Sequence, residues 1–230
     1  MTARYAVYFA PDPASPLTSW AASWLGCDVA AGITRRQPAI AGVTAERLCE
    51  ITAEPRCYGF HATLKPPFAL DAGHDADELD TAIEAVAGGL AAFAAPPLRL
   101  SSISGFWALT LSAPCPAMLT LADTCVQALD RFRAPPTDSE LARRRQANLT
   151  PRQEALLAEW GYPYVIDEFR FHMTLTGRLD GPQRHAVGEA LAPLVEPFCR
   201  DPLTVDTISL LRQEAADAPF RLIRRYPLCG

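Results

Sequence analysis

"YGFHATLKPPF" occupies residues 58–68 and "FRFHMTLTG" residues 169–177. Aligned, they read Phe60-His61-Ala62-Thr63-Leu64 and Phe171-His172-Met173-Thr174-Leu175. Two of the chain's four histidines thus stand in one five-residue frame, 111 residues apart. Along a strand, residues i and i+2 share a face. Phe60, Ala62 and Leu64 then form a core face, with His61 and Thr63 on the other. The second copy divides the same way, burying Phe171, Met173 and Leu175 and presenting His172 and Thr174.

Around the motifs the chain falls into two successions of the same order. After the first strand, about 58–64 and stopped by Pro66-Pro67, Asp75 caps a helix with Leu79, Ile83, Val86 and Leu90 at three- and four-residue spacing. Residues 98–112 then read as two strands joined near Ser104-Gly105. After the second strand, 169–176, come a helix over 181–195 with a proline at its start and strands over 203–213 and 220–228. Strand–helix–strand–strand therefore occurs twice. Residues 4–10 precede both copies as a strand, followed by helix candidates at 17–25 and 43–52. A helix at about 117–133 and a polar helical insertion, 137–160, separate the copies. "TPRQEALLAEWG" in the insertion carries a Thr150 cap, Pro151 at the first turn and Gly161 as a stop. The pattern predicts an α+β fold of antiparallel sheets flanked by helices, the two copies about a pseudo-two-fold axis with a central cleft. Lobe one is about 1–133, and lobe two about 161–230.

The chain of 230 residues has 49% hydrophobic and 20% charged residues, ordinary for a globular domain with a packed core. No apolar window reaches the length of a membrane span, and the first residues lack a signal-peptide pattern; the expected location is the cytoplasm and the expected state a monomer. Seven scattered cysteines without C-x-x-C spacing argue against a disulfide framework and a structural zinc site, and read mostly as buried thiols. A net charge of −5 argues against a long nucleic-acid track but leaves room for a small phosphorylated ligand, an RNA end being the less favoured partner.

Two imidazoles and two hydroxyls across a cleft suit phosphodiester cleavage. A neutral histidine takes a proton from the attacking oxygen and a protonated one gives a proton to the leaving oxygen, both forms being accessible near an unperturbed pKa of about 6.5. The threonine hydroxyls donate to non-bridging phosphate oxygens. No metal or other cofactor is needed. The whole chain, in "RYAVYFAP", "YGFHATLKPPF", "PRQEALLAEWGYPYV" and "FRFHMTLTG", resembles the two-histidine (2H) phosphoesterase superfamily, and more narrowly the phosphonate metabolism protein family. The resemblance implies a bilobal fold, catalytic roles for His61 and His172, phosphate contacts from Thr63 and Thr174, and a cyclic phosphodiesterase-like hydrolase acting beside carbon–phosphorus bond cleavage, where ribose cyclic phosphates arise. The spacing of 111 residues exceeds that of compact members; the insertion accounts for the excess.

Further substrate contacts are expected from Lys65, Thr176 and Arg170 by strand alternation, from Tyr8 opposite Tyr5, Val7 and Phe9, and from Arg152, Tyr162 and Tyr164 in the insertion and just after it. Arg143, Arg144 and Arg145 read as a solvated helix face, His74 as a loop residue and His185 as an exposed helix residue. Two other readings stand beside the first. A metal-dependent phosphoesterase would use both histidines as ligands, although neither motif has a carboxylate on the histidine's strand face. A non-catalytic protein would keep only a phosphate-binding cleft. A lysine nucleotidyltransferase is disfavoured, since Lys65 is followed by Pro-Pro-Phe and not by a K-x-D-G type of sequence.

Overall fold

Local sequence signals set most element ends. The computed structural model describes residues 3–215 and 218–230. The chain opens with β1 (Arg4–Phe9), α1 (Pro16–Leu25), a short ribbon of β2 (Cys27–Asp28) and β3 (Ile33–Thr34), α2 (Ala45–Ile51) and α3 (Ala53–Arg56). The first succession runs β4 (Ala62–Ala69), α4 (Ala76–Gly88), β5 (Phe93–Ala95), β6 (Leu98–Ile103) and β7 (Phe106–Leu111). Next come α5 (Pro116–Ala128), α6 (Asp138–Arg145) and α7 (Pro151–Trp160). The second succession runs β8 (Met173–Thr174), α8 (Gly181–Val195), β9 (Leu203–Val205), β10 (Thr207–Gln213) and β11 (Arg221–Pro227). Asp75 caps α4 in a capping box with Glu78, and Thr150 caps α7 in another with Gln153; each satisfies backbone N–H groups that a helix start leaves unpaired. Gly161, at φ +71°, ends α7 in a left-handed conformation.

The strands form an α+β arrangement in which every pairing is antiparallel. One sheet has the order β11-β10-β1-β4 and another β6-β7-β8, while β5 pairs with β9. The two successions therefore exchange partners. The hairpin β6–β7 of the first shelters the motif strand of the second, and the hairpin β10–β11 of the second reaches the motif strand of the first through β1. The lobes drawn along the chain interlock in space for this reason. A continuous core joins them: Val7 and Phe9 of β1, Leu64 of β4, Leu79 and Ile83 of α4, Leu109 of β7, Met173 of β8 and Leu191 of α8 are all buried in one cluster.

Four expectations need correction. β4 runs through Pro66-Pro67 instead of stopping before them, because it is the edge strand of its sheet, where a missing N–H costs no ladder bond. The helix after Asp75 ends at Gly88, and the following segment pairs as β5 across to β9; Gly88-Gly89 breaks the helix where the apolar periodicity alone did not. The second motif strand shrinks to Met173–Thr174, paired only with Ala108 and Leu109 of β7. Of the seven cysteines only Cys125 is buried, while Cys49, Cys57 and Cys229 are exposed: Cys49 lies on α2, Cys57 at the end of α3 and Cys229 beside the last residue.

Candidate active site

Gly59 prepares the first histidine. Its φ is +75°, and a Cβ there would come within 2.5 Å of Val29 Cγ2, so the turn before β4 accepts only glycine without a shift. The turn aims the Gly59 carbonyl at His61, whose Nδ1 donates to it at 3.0 Å. That bond fixes the neutral tautomer: Nε2 is the acceptor, and the Thr63 hydroxyl lies 3.2 Å from it. Behind the ring, Tyr8 stacks on His61 with centroids 3.7 Å apart and planes 16° apart. Burial holds the His61 imidazole down at about 4; the Gly59 bond opposes this and the nearby His172 adds to it.

His172 repeats the anchor without the shelter. Its Nδ1 donates to the Arg170 carbonyl at 2.7 Å, again the carbonyl of residue i−2. Phe106 lies beside its ring at 5.8 Å. Burial lowers its pKa as well. Both imidazoles are thus tied through Nδ1 to main chain, which leaves Nε2 for chemistry; that of His61 is shared with the Thr63 hydroxyl.

His172 and Thr63 line one cavity of about 460 Å³, with Phe106, Tyr162, Arg170 and Arg178 among its other walls. The remaining expected contacts divide between this cavity and other places. Tyr162 and Tyr164 line it, edge to face with each other at 5.7 Å. Arg144 caps the far side of Tyr162, its guanidinium 4.3 Å from the ring centre; the insertion reaches the cleft rim there and through Ala147 and Gln153. Arg145 instead pairs with Glu154 at 3.1 Å. Thr174, half-buried, follows His172 on β8 opposite Ala108. His74 lies tilted against Phe132 and bonds Glu78, and His185 is exposed beside Glu189.

Four expected contacts lie elsewhere. Lys65 is 2% exposed, its Nζ held by the Val126 carbonyl at 3.1 Å and by Asp130 at 3.3 Å; burial lowers its pKa to about 8 against the pull of Asp130. The bulge in β4 beside Val7 disturbs simple alternation there. Thr176 is fully buried and ties β7 to the second motif, accepting from the Trp107 N–H at 3.0 Å and donating to the Gly177 carbonyl at 2.8 Å. Arg152 is spent on Asp167 at 3.0 Å. Tyr8 backs His61 and lines the same small pocket as that ring, not the cavity of His172. The sequence reading missed Gly59, Phe106, Gln153, Glu168 and Arg178. A glycine two residues before a motif histidine was a legible turn signal; Phe106 and Gln153 depend on distant packing that no local pattern announces.

Among the described residues no three His, Cys, Asp or Glu side chains are grouped to hold a metal ion, and no helix is long and apolar enough to cross a membrane.

Comparison with known proteins adds a family. The model described as "Protein of unknown function (DUF1045)" matches residues 63–221, and the chain belongs to that family. It is 38% identical over 234 residues to a ribose 1,5-bisphosphate phosphokinase PhnN of Janthinobacterium sp. (strain Marseille), covering 99% of this chain and 51% of that protein. It is 33% identical over 221 residues to a protein of the same name from Laribacter hongkongensis (strain HLHK9), covering 96% and 51%. The chain spans about half the length of these curated relatives. Solved structures similar to it include E. coli LigT complexed with ATP, at 11% identity and TM-score 0.49 over 100% of this chain and 99% of that one. Another is a phosphoesterase at 14% identity and TM-score 0.45 over 99% of each. These agree in name with the two-histidine resemblance read from the motifs; overlaps of this size carry no functional argument.

Proposed function

We propose that this chain is a phosphodiesterase that opens a small cyclic phosphate by acid–base catalysis between His61 and His172. The observation that supports it most is the shared anchor: each Nδ1 donates to the carbonyl two residues upstream. That leaves each Nε2 as the reacting atom: His172 lines a cavity that fits a ligand pocket in size, and His61 reaches its wall through Thr63, which lines the same cavity, while its own ring lines a smaller pocket with Tyr8 and Tyr58. His61, the more strongly held in its neutral form, is the base. Its Nε2 takes a proton from water as the water oxygen bonds to phosphorus. Protonated His172 gives its Nε2 proton to the ring oxygen as the phosphorus–oxygen bond to it breaks. One water is consumed, and the diester becomes a monoester. Thr174, and Thr63 once its hydroxyl turns from His61 Nε2 to the phosphate, donate to the non-bridging oxygens, where charge develops.

The relatives' name narrows the substrate. A ribose 5-phosphate carrying a cyclic phosphate across O1 and O2 yields ribose 1,5-bisphosphate when the bond to O2 breaks. That is the compound in the relatives' name, so a kinase step would consume this chain's product. The kinase chemistry itself finds no support in these residues. The 230 residues contain no Gly-rich loop ending in Lys-Ser/Thr, and the single lysine is buried against Asp130. Screening cyclic nucleotides, ribose cyclic phosphates and linear diesters by ³¹P NMR tests the reading. Monoester formation from a cyclic ribose phosphate is expected. Binding without turnover would favour a phosphate-ligand protein, and turnover lost to EDTA and restored by zinc or manganese would favour the metal-dependent reading.

A further inference from the structure

The cavity beside His172 has two arginines on its wall that the proposed acid–base step does not use. Arg170 and Arg178 both line it. Both are exposed, and among the described residues no carboxylate lies within ion-pair distance of either guanidinium. The contrast with neighbouring arginines is direct: Arg133 is taken by Asp130, Arg145 by Glu154 and Arg152 by Asp167. The carboxylate on the same wall, Glu168, is engaged by the Gln153 amide at 3.0 Å. In a protein of net charge −5, two guanidiniums without an ion-pair partner, against the one carboxylate of Glu168, leave this cavity wall net positive and suited to an anion.

The geometry points to a second phosphate subsite formed by Arg170 and Arg178, so that the substrate class is a sugar carrying a phosphomonoester in addition to the diester that is cleaved. The position of the first phosphate, between the histidines, rests on the activity proposed above. Arg170 holds the main-chain carbonyl that anchors His172, so its side chain leaves the backbone two residues from the reacting imidazole. Arg178 follows His172 by six residues, past β8. Ser104, in the left-handed conformation at φ +48° at the β6–β7 turn, lines the same cavity and offers a hydroxyl to the same anion. Gln153 and Glu168 provide an amide and a carboxylate oxygen for sugar hydroxyls. Tyr162 and Tyr164 give the sugar an apolar wall.

The test reads binding and needs no turnover. Ribose 1,5-bisphosphate, ribose 1-phosphate, ribose 5-phosphate and inorganic phosphate are titrated calorimetrically into wild-type protein, Arg170→Ala, Arg178→Ala and the two Arg→Lys variants, with folding checked by circular dichroism. The bisphosphate should bind at least about 10-fold more tightly than either monophosphate. Each Arg→Ala change should cut that preference about 10-fold or more, and each lysine should restore part of it, since a point charge replaces a bidentate fork. A bisphosphate no tighter than the monophosphates would overturn the subsite, as would a preference that both alanine variants retain. Inertness toward every cyclic phosphate, with the arginine-dependent preference intact, would instead remove the catalytic reading and leave the subsite standing.

Discussion

The two motif regions share a five-residue frame and an Nδ1 anchor, yet they hold their histidines differently. His61 immediately precedes a strand of eight residues in a four-stranded sheet, has Tyr8 flat against its ring and faces the Thr63 hydroxyl. His172 precedes a strand of two residues and has only a tilted Phe106 nearby. Identical residues in different packing give one imidazole fixed as a neutral acceptor and another with more freedom to carry a proton. An acid–base pair needs that inequality, since two equivalent imidazoles would share one protonation state at most pH values.

The largest expected effect removes either member of the pair. His61→Ala and His172→Ala should each lower kcat/KM on a cyclic phosphate by roughly 10²–10⁴, the usual worth of a positioned acid or base. The double variant should lose less than the product of the two. A single variant with full activity and native circular dichroism would break the comparison. The threonines should matter less: Thr63→Ala and Thr174→Ala are each expected to cost about 10–10³ in kcat/KM, because a hydrogen bond to a charged oxygen goes while the proton path remains.

The inequality also has a stability signature. His61 titrates at about 4 when folded, against 6.5 as its reference value. Above 6.5 both states are neutral and nothing depends on pH. As pH falls below 6.5 the unfolded chain binds a proton that the folded one refuses, so stability drops until pH reaches about 4. The shift corresponds to roughly 3 kcal/mol. Urea unfolding of wild type at pH 6.5 and 4.5 should show much of this loss, and His61→Gln should show it markedly less. Equal pH slopes in the two would mean that the packing around His61 does not depress it.

The smallest expected effect on activity belongs to Lys65, which shares the motif strand but not the cleft. Lys65→Met should change kcat/KM by less than about threefold. Its cost should appear in stability, moderated because Arg133 still pairs with Asp130. A KM raised tenfold would return Lys65 to the substrate.

How much of this was legible follows the range of each interaction. The caps at Asp75 and Thr150 and the turn at Ser104-Gly105 are local signals and were read correctly. Long-range pairing was not readable. β5 is a strand because β9 lies beside it, β4 tolerates two prolines because its outer edge is unpaired, and β8 is short because only β7 supports it. The site divides in the same way. Alternation predicted the faces of His61 and Thr63, but a bulge beside Val7 disturbs it at Lys65, and Thr176 became a buried tie to Trp107. Arg178 is distinguished by lining the cavity without an ion-pair partner, which requires knowing both the packing and where the carboxylates went.

The most direct test of the paired-histidine account is the pH dependence of kcat/KM for a ribose 1,2-cyclic phosphate bearing a 5-phosphate, measured in EDTA. The expected result is a bell centred on the acid side of neutrality. Its rising arm should lie at about 4, from His61, and its falling arm below 6.5, from His172, with each arm lost in the corresponding histidine variant's residual activity. No turnover, or turnover abolished by EDTA and restored by zinc or manganese, would contradict it.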